Sequence, residues 1–220
     1  MDSKTFLKVL KLIEKEIITW DLPSVSKVAE KKKRDPFHVL LATILSLRTK
    51  DSVTLPAALK LIDKAPTPEA LYSLTQKEIQ KLIYPVCFYR NKAKSLKSLA
   101  EKIIKDYNGK VPDSLEELLS LPGVGRKTAN LVLILGFGKK EGLCVDTHVH
   151  RVSNRIGIVK TKTPDDTEFR LREVLPKSVW SKVNDILVPY GQKICTPVSP
   201  WCSKCKVSKF CKKIGVKKIR

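Results

Sequence analysis

The sequence predicts an all-α protein, and three observations support that prediction. Apolar residues recur at helical spacing from the first segment onward, at Phe6, Val9, Leu10, Ile13 and Ile17. The pairs Asp35-Pro36 and Thr67-Pro68 each place a capping side chain before a proline, which is a strong helix start. Alternating apolar and polar residues never extend beyond a few positions, so no β-strand is predicted.

The remaining helices follow from caps and periodicity in chain order. Thr75 and Glu78 form a predicted capping box. Residues 93–104 are apolar at helical spacing, and Asn108-Gly109 ends that helix. Either Asp113 or Ser114 caps a short helix through Leu119. Four later helical patterns are predicted after Gly125, after Asp146, near Asp165 and from Ser178.

The charge balance favours a polyanionic partner. The chain has 43 basic and 22 acidic residues, a net charge of +21. Neutralising phosphates releases counterions, so such an excess indicates nucleic-acid binding without choosing DNA over RNA. The alternative is a basic ribosome-associated or thermophile protein. No apolar run approaches the ~20 residues that span a bilayer, and Met1–Phe6 has no signal-peptide pattern. We therefore expect a cytoplasmic protein with no membrane association.

Four of the six cysteines are concentrated near the C-terminus, at Cys195, Cys202, Cys205 and Cys211. Clustered cysteines in a chain without an export signal favour metal binding over disulfides. Four soft thiolates suit zinc or an iron–sulfur cluster. Only one close pair is present, flanked by two wider gaps, and this spacing favours the iron–sulfur cluster. Four unligated thiols are the third alternative.

A glycine-containing turn, residues 121–129, joins two apolar helices. Gly123 and Gly125 allow a tight turn and close approach of another molecule. The N–H groups that open the second helix would then point outward, which is a phosphate-binding arrangement. The alternative is an ordinary corner between two helices.

Two charged residues are candidates for catalysis. Lys127 lies in the first turn of the helix after Gly125, where the helix dipole disfavours a positive charge and favours the neutral amine of a nucleophile. The alternative is a solvated surface lysine. Asp146 is a natural N-cap, and capping alone would account for it. His148 and His150 point apart on a helix, so we assign them no metal.

These features, in this order, resemble the endonuclease III family of DNA glycosylases. Residues 121–130 are similar to its helix-hairpin-helix, and residues 145–148 to its catalytic-aspartate segment. The cysteine spacing is that of its [4Fe-4S] loop. Residues 45–51 and 89–93 are similar to two further family segments, so the resemblance runs from about residue 40 to 211.

The resemblance implies a two-lobed helix-hairpin-helix glycosylase fold. A six-helix barrel would occupy residues 22–135, and a helical iron–sulfur domain residues 1–21 and 136–220. Double-stranded DNA with damaged bases or abasic sites would lie between the lobes, where Lys127 and Asp146 would meet. The implied protein is a monomer, and the implied activity is a bifunctional glycosylase and AP lyase for oxidised pyrimidines that acts through a Lys127 Schiff base and β-elimination.

The resemblance also implies DNA contacts. Arg48 stands where many family members have Gln, and it would fill the space of the flipped base or contact its orphaned partner. Because Arg donates bidentately to guanine, a preference for lesions opposite G is our hypothesis. Phe88 stands where the family often inserts a Leu wedge. The other expected contacts are Leu121, Pro122, Gly123, Val124, Gly125, Arg126 and His148.

The same residues also allow other functions. A G:T or G:U mismatch glycosylase is the nearest alternative, and only Lys127 disfavours it. A non-catalytic iron–sulfur DNA-binding protein is the second alternative, and an electron-transfer protein is the third. The loop 196–201 has no Lys or Arg, whereas bacterial relatives often place basic residues there, so nearby lysines would have to take over phosphate contact. Those lysines are Lys204, Lys206, Lys209, Lys212 and Lys213.

Overall fold

The computed structural model describes residues 1–220 and confirms the all-α prediction. The helices are α1 Ser3–Ile17, α2 Ser24–Lys31, α3 Pro36–Ser46, α4 Asp51–Lys64, α5 Pro68–Ser73, α6 Gln76–Ile83, α7 Tyr89–Tyr107, α8 Leu115–Ser120, α9 Arg126–Leu131, α10 Thr147–Ile156, α11 Pro164–Val174 and α12 Lys177–Lys193. A π-helical turn, Val132–Gly136, continues α9, and a 3₁₀ turn spans Ser208–Phe210.

The chain divides into two compact units, residues 23–142 and residues 1–22 with 143–220. In the unit of residues 23–142, the apolar helix α3 is the core element. Its residues 39–45 are all buried, and it packs against α2, α4, α9 and the π-helical turn. Residues 136–142 make their contacts within this unit, whereas the resemblance places them in the other lobe. The predicted domain limits therefore stay a prediction.

The other unit brings together segments that are far apart in the sequence. Helix α1 packs against α12, and α10 packs against α11 and α12. Phe6 and Ile13 share one apolar core with Val149 and Leu187. The rings of Trp20 and Tyr190 stack with their centroids 6.4 Å apart. The first helix therefore belongs structurally to the C-terminal part of the chain.

Helix starts that depend on a capping side chain are confirmed. Asp35 accepts a hydrogen bond from the N–H of His38 at 2.9 Å, which satisfies one of the orphan donors at the helix start. Thr67 caps α5 through the N–H of Ala70. In the capping box, Thr75 accepts from the N–H of Glu78 at 3.2 Å. The Glu78 carboxylate accepts from the N–H of Thr75 at 2.7 Å.

Two predicted helix starts are confirmed and made more exact by the structure. Ser114 caps α8, so of the two predicted candidates Asp113 is not the cap. Helix α11 begins at Pro164 behind a Thr163 cap, just before the predicted region near Asp165. None of the helices combines the length and apolar character that crossing a bilayer requires.

Candidate functional site

The two glycines in the turn between α8 and α9 have different structural roles. Gly123 has φ +78°, and the N–H of Val124 donates to the carbonyl oxygen of Leu121 at 3.2 Å across the turn. Gly125 has φ −102°, is exposed, and has nothing within 4 Å of the place where a Cβ would be. The left-handed backbone therefore requires glycine only at Gly123, while Gly125 keeps the start of α9 open to another molecule.

Lys127 is the second residue of α9 and is half-buried. The four residues that follow it, 128–131, are all buried, and α9 packs against α3. The Asn130 amide also donates to the carbonyl oxygen of Arg126 at 3.1 Å. The main chain that carries Lys127 is therefore held firmly by the core, which a positioned nucleophile requires.

Asp146 caps α10, as predicted. Its Oδ1 accepts from the N–H of His148 at 2.8 Å and from the N–H of Val149 at 2.9 Å. The preceding residues Leu143, Cys144 and Val145 are buried. The buried residues before Asp146 and the capping hydrogen bonds after it give the carboxylate a defined direction. Capping and a catalytic role are therefore compatible in this one side chain.

His148 is oriented by Arg151, which the sequence did not single out. Arg151 Nη2 lies 3.0 Å from His148 Nδ1. A guanidinium only donates, so Nδ1 accepts and the ring proton is on Nε2. Arg151 is anchored through the carbonyl oxygens of Gly191 at 2.7 Å and Cys195 at 3.0 Å. Arg151 thus fixes the orientation of the His148 ring.

Arg48 and Phe88 lie together on the surface of the unit of residues 23–142. The Arg48 guanidinium carbon is 5.8 Å from the centroid of the Phe88 ring. Both residues are exposed and have left-handed backbones, with φ 55° and 58°. Such backbones are uncommon for residues with large side chains and often occur at functional positions. The two predicted DNA contacts are therefore adjacent.

The four C-terminal cysteines line one partly open cavity. Burial raises the pKa of the Cys205 and Cys211 thiols, and a coordinated metal offsets this cost because it holds the thiol as thiolate. No three Cys, His, Asp or Glu side chains come close enough to hold a single metal ion. The shared cavity and the soft donor set fit a polynuclear iron–sulfur cluster.

Two side chains that the sequence did not predict hold the cysteine loop. Tyr190 donates from its hydroxyl to Cys205 Sγ at 3.1 Å. Arg155 Nη1 donates to the carbonyl oxygen of Thr196 at 2.7 Å and lies 3.5 Å from Cys195 Sγ. Donors to a ligating sulfur orient it and tune its charge. They lie 15 and 40 residues along the chain from the cysteines that they contact, so no short motif connects them with those cysteines.

Basic side chains do approach the loop 196–201, although the loop has none of its own. Lys204 Nζ is 4.8 Å from the centroid of the Trp201 ring, and the Arg220 guanidinium carbon is 4.4 Å from the same ring. Arg220 Nε also donates to the carbonyl oxygen of Ser199 at 2.8 Å. Lys204 was among the predicted substitutes, whereas Arg220 was not.

The candidate residues are divided between the two units. The hairpin residues 121–126, Lys127, Arg48 and Phe88 belong to residues 23–142, and Asp146, His148 and the cysteines belong to the other unit. The meeting of Lys127 with Asp146 stays a prediction from the resemblance.

Comparison with known proteins identifies the family. Residues 41–177 match the HhH-GPD superfamily base excision DNA repair protein family. Endonuclease III of Thermotoga maritima is 47% identical over 180 residues, which is 82% of this chain and 84% of that protein. The endonuclease III-like protein 1 of Mus musculus is 43% identical over 80% of this chain, and the aligned part is 59% of that longer protein.

Solved structures agree with this assignment. A non-covalent endonuclease III–DNA complex superposes with a TM-score of 0.86 at 31% identity, over 97% of this chain and 96% of the other. A trapped endonuclease III–DNA covalent intermediate superposes with a TM-score of 0.85 at 30% identity, over 97% of each chain. The chain therefore belongs to the endonuclease III family, within the HhH-GPD superfamily of base excision DNA repair proteins.

Proposed function

We propose that the protein is a bifunctional base-excision-repair DNA glycosylase and AP lyase, with Lys127 as nucleophile and Asp146 as its catalytic partner. Its DNA substrate is double-stranded and contains damaged bases or abasic sites. The observation that carries the proposal is a core-anchored lysine at the second position of the hairpin helix α9, in a chain of the endonuclease III family. A relative has been trapped as a covalent DNA intermediate. Such an enzyme acts on the chromosome, so we infer a nucleoid-associated location.

The reaction begins with extrusion of the damaged nucleotide, because its sugar and base are inaccessible within the duplex. The neutral amine of Lys127 attacks C1′ of the sugar, the N-glycosidic bond breaks, and the base leaves with the bonding electrons and takes up a proton. Opening of the sugar ring gives a protonated Schiff base between Lys127 and C1′. Loss of a C2′ proton expels the 3′ phosphate, and water then hydrolyses the imine and releases Lys127.

Asp146 supports the first step by placing a carboxylate near the positive charge that develops on the sugar. It also serves as the proton acceptor for the ammonium group that forms when the Lys127 amine bonds to C1′. The two capping bonds to its Oδ1 support this role, since they fix the direction of the carboxylate.

The DNA contacts in this proposal have separate tasks. The open backbone at Gly123 and Gly125 approaches a phosphate, and His148 offers its Nε2 proton to another. Phe88 enters the base stack as an apolar wedge. Arg48 fills the space of the extruded base and contacts the orphaned partner.

We further propose that Cys195, Cys202, Cys205 and Cys211 hold a [4Fe-4S] cluster. Bound there, the cluster would cross-link a loop that has little regular secondary structure, and it takes no part in bond breaking. The support is the cavity that all four cysteines line. The cluster would thus stabilise the loop that carries Lys204 and that accepts a hydrogen bond from Arg220 at Ser199.

Oxidised pyrimidines are the proposed lesions. A second candidate is mismatched thymine, because a thermostable thymine-DNA glycosylase superposes with a TM-score of 0.81 at 30% identity over 96% of this chain. The presence of Lys127 disfavours a purely monofunctional enzyme that removes mismatched thymine. A panel of lesion duplexes, in which base release and strand cleavage are measured separately, distinguishes the two.

Borohydride trapping tests the proposed nucleophile. Wild-type protein incubated with an abasic-site duplex and borohydride should form a covalent adduct, because the reductant fixes the Schiff base. Lys127→Ala should form none, while Lys94→Ala, an exposed lysine on α7, should react as wild type. An adduct of unchanged yield in Lys127→Ala would rule out Lys127 as the nucleophile.

A further inference from the structure

Lys92 is a buried lysine that no sequence pattern singled out. Its residue is 8% exposed, in a protein with many solvated lysines. Its Nζ donates to the carbonyl oxygen of Leu45 at 2.8 Å and of Leu47 at 2.6 Å, and to Thr49 Oγ1 at 3.2 Å. A lysine is almost never buried unless its charge is satisfied. Here three neutral acceptors match the three donors of one ammonium group.

All three acceptors belong to the segment that carries Arg48. Leu45 and Leu47 precede Arg48 and Thr49 follows it, so the ammonium group holds the main chain on both sides of the exposed arginine. Arg48 has φ 55°. That conformation is unfavourable for a residue with a Cβ and persists only where the surrounding structure imposes it. The Lys92 hydrogen bonds provide that restraint.

The same network reaches the segment that carries Phe88. Thr49 Oγ1, besides accepting from Lys92, accepts from the N–H of Cys87 at 3.3 Å. Cys87 directly precedes Phe88, which also has a left-handed backbone, with φ 58°. Lys92 itself lies four residues beyond Phe88 on α7, and its backbone N–H donates to the Phe88 carbonyl oxygen at 3.0 Å. One buried side chain therefore links two separate exposed turns.

We propose that Lys92 is a positioning residue that fixes Arg48 and Phe88 relative to each other, so that the pair can enter the duplex and hold it open. The proposal rests on the proposed function, because it takes these two side chains as the ones that penetrate DNA. Lys92 acts on extrusion of the damaged nucleotide and has no part in bond breaking. Burial lowers the pKa of Lys92 to about 8, which agrees with an ammonium group placed among neutral acceptors.

Lys97 offers a matched control on the same helix. Its Nζ donates to the carbonyl oxygens of Tyr72 and Leu74, both at 2.6 Å. It thus bridges carbonyl groups as Lys92 does, but it holds the end of α5 and the residue that follows it. A methionine at either position removes the ammonium group and keeps most of the side-chain volume.

The first test compares abasic-site cleavage in duplex and in single-stranded DNA under single-turnover conditions. We expect Lys92→Met to cleave the duplex at least about ten-fold more slowly, because small displacements of positioning groups cost large factors in rate. Its rate on a single strand, which has no stack to open, should stay within about two-fold of wild type. Lys97→Met should match wild type on both substrates.

A second variant covers the case in which Lys92→Met fails to fold. Thr49→Val removes the link between Lys92 and the Cys87 N–H and leaves both carbonyl bonds of Lys92 in place. It should show the same selective loss on duplex DNA, to a smaller extent. Equal losses on duplex and single-stranded DNA for the folded variants would assign Lys92 a structural role only and overturn the proposal.

The third measurement does not depend on base release or strand cleavage. A duplex with a stable abasic analogue opposite 2-aminopurine reports unstacking of the orphaned base by fluorescence. At saturating protein, wild type and Lys97→Met should give the full change and Lys92→Met less than about half of it. A full change with Lys92→Met, or no change with wild type, overturns the proposal. Wild type that unstacks the base but forms no borohydride adduct contradicts the proposed function alone.

Discussion

Arg151 donates from Nη2 to His148 Nδ1 at 3.0 Å and from the same nitrogen to the carbonyl oxygen of Gly191 at 2.7 Å. One guanidinium group therefore sets both the tautomer and the direction of the His148 ring. Space for the ring exists only because position 191 has no side chain. A Cβ there would lie 2.9 Å from His148 Cβ and 3.2 Å from Arg151 Nη2.

Gly191→Ala should therefore destabilise the protein by about 1–3 kcal/mol through overpacking. It should also weaken duplex binding, because His148 must shift. Gly125→Ala is the comparison for stability alone, since its Cβ meets nothing within 4 Å, and the poorer helix cap should cost at most about 1 kcal/mol. Urea unfolding and duplex binding measure the two effects, and a similar stability loss in both variants would contradict the crowding at Gly191.

Asp146→Asn should separate capping from catalysis. Asparagine caps helices as well as aspartate does, so the free energy of unfolding should change by less than about 1 kcal/mol. The rate of base release should fall about 10²–10³-fold, because the negative charge near the sugar is lost. Asp146→Ala should lose both stability and rate. Single-turnover base release near wild type in Asp146→Asn would remove the carboxylate from the mechanism.

Arg48→Gln should change the dependence on the opposing base. If Arg48 donates two hydrogen bonds to an orphaned guanine, wild type should excise lesions opposite G about ten-fold faster than lesions opposite A. In Arg48→Gln this ratio should fall toward one. Phe88→Leu keeps an apolar wedge and should preserve the ratio. Excision by wild type that does not depend on the opposing base would be incompatible with the hypothesis.

Cys205→Ser should abolish the cluster. Wild-type protein purified without oxygen should be brown and contain iron and acid-labile sulfide in equal amounts. The variant should contain neither and should unfold more easily, because its loop loses the cross-link. Cys87→Ser, which changes a cysteine outside the cavity, should keep the iron. Colourless wild-type protein with bound zinc would contradict the proposed cofactor.

Stability should rise with pH in a range set by Lys92. Burial lowers its pKa from 10.5 to about 8, so between these values the unfolded chain binds the proton and the folded chain has released it. The free energy of unfolding therefore gains a contribution that increases with pH, by up to about 1.4 kcal/mol per pH unit. Lys92→Met should lack this increase, whereas Lys97→Met should retain it. Urea unfolding between pH 7 and 10.5 checks the difference.

Helix caps were predictable because each depends on a side chain and a backbone N–H within three residues of one another, as at Asp35 and Thr75. Two helices were not predicted. Helix α2 has no capping side chain, and α4 lacks one and contains Pro56, which ordinarily interrupts a helix. Both helices pack against α3, so tertiary packing supplies what the local signals lack.

The candidate site was predictable to the extent that its residues lie in short motifs. The hairpin, the Asp146 cap and the cysteine spacing are local patterns. The left-handed backbones of Arg48 and Phe88 were not predictable, because nothing in the sequence of their own segments requires that conformation. They depend on Lys92, which lies 43 to 47 residues beyond its acceptors near Arg48. Contacts at that separation leave no periodic trace in a single sequence.

The pairing of α1 with α12 determines an order of events during synthesis. The apolar face of α1, with Phe6, Val9, Leu10 and Ile13, emerges from the ribosome before its partner helix α12, which ends at Lys193. Residues 23–142 are translated in between and can reach their compact state first. The nascent chain therefore has an exposed apolar segment until α12 has been synthesised. A chaperone that covers this segment would protect the incomplete protein from aggregation.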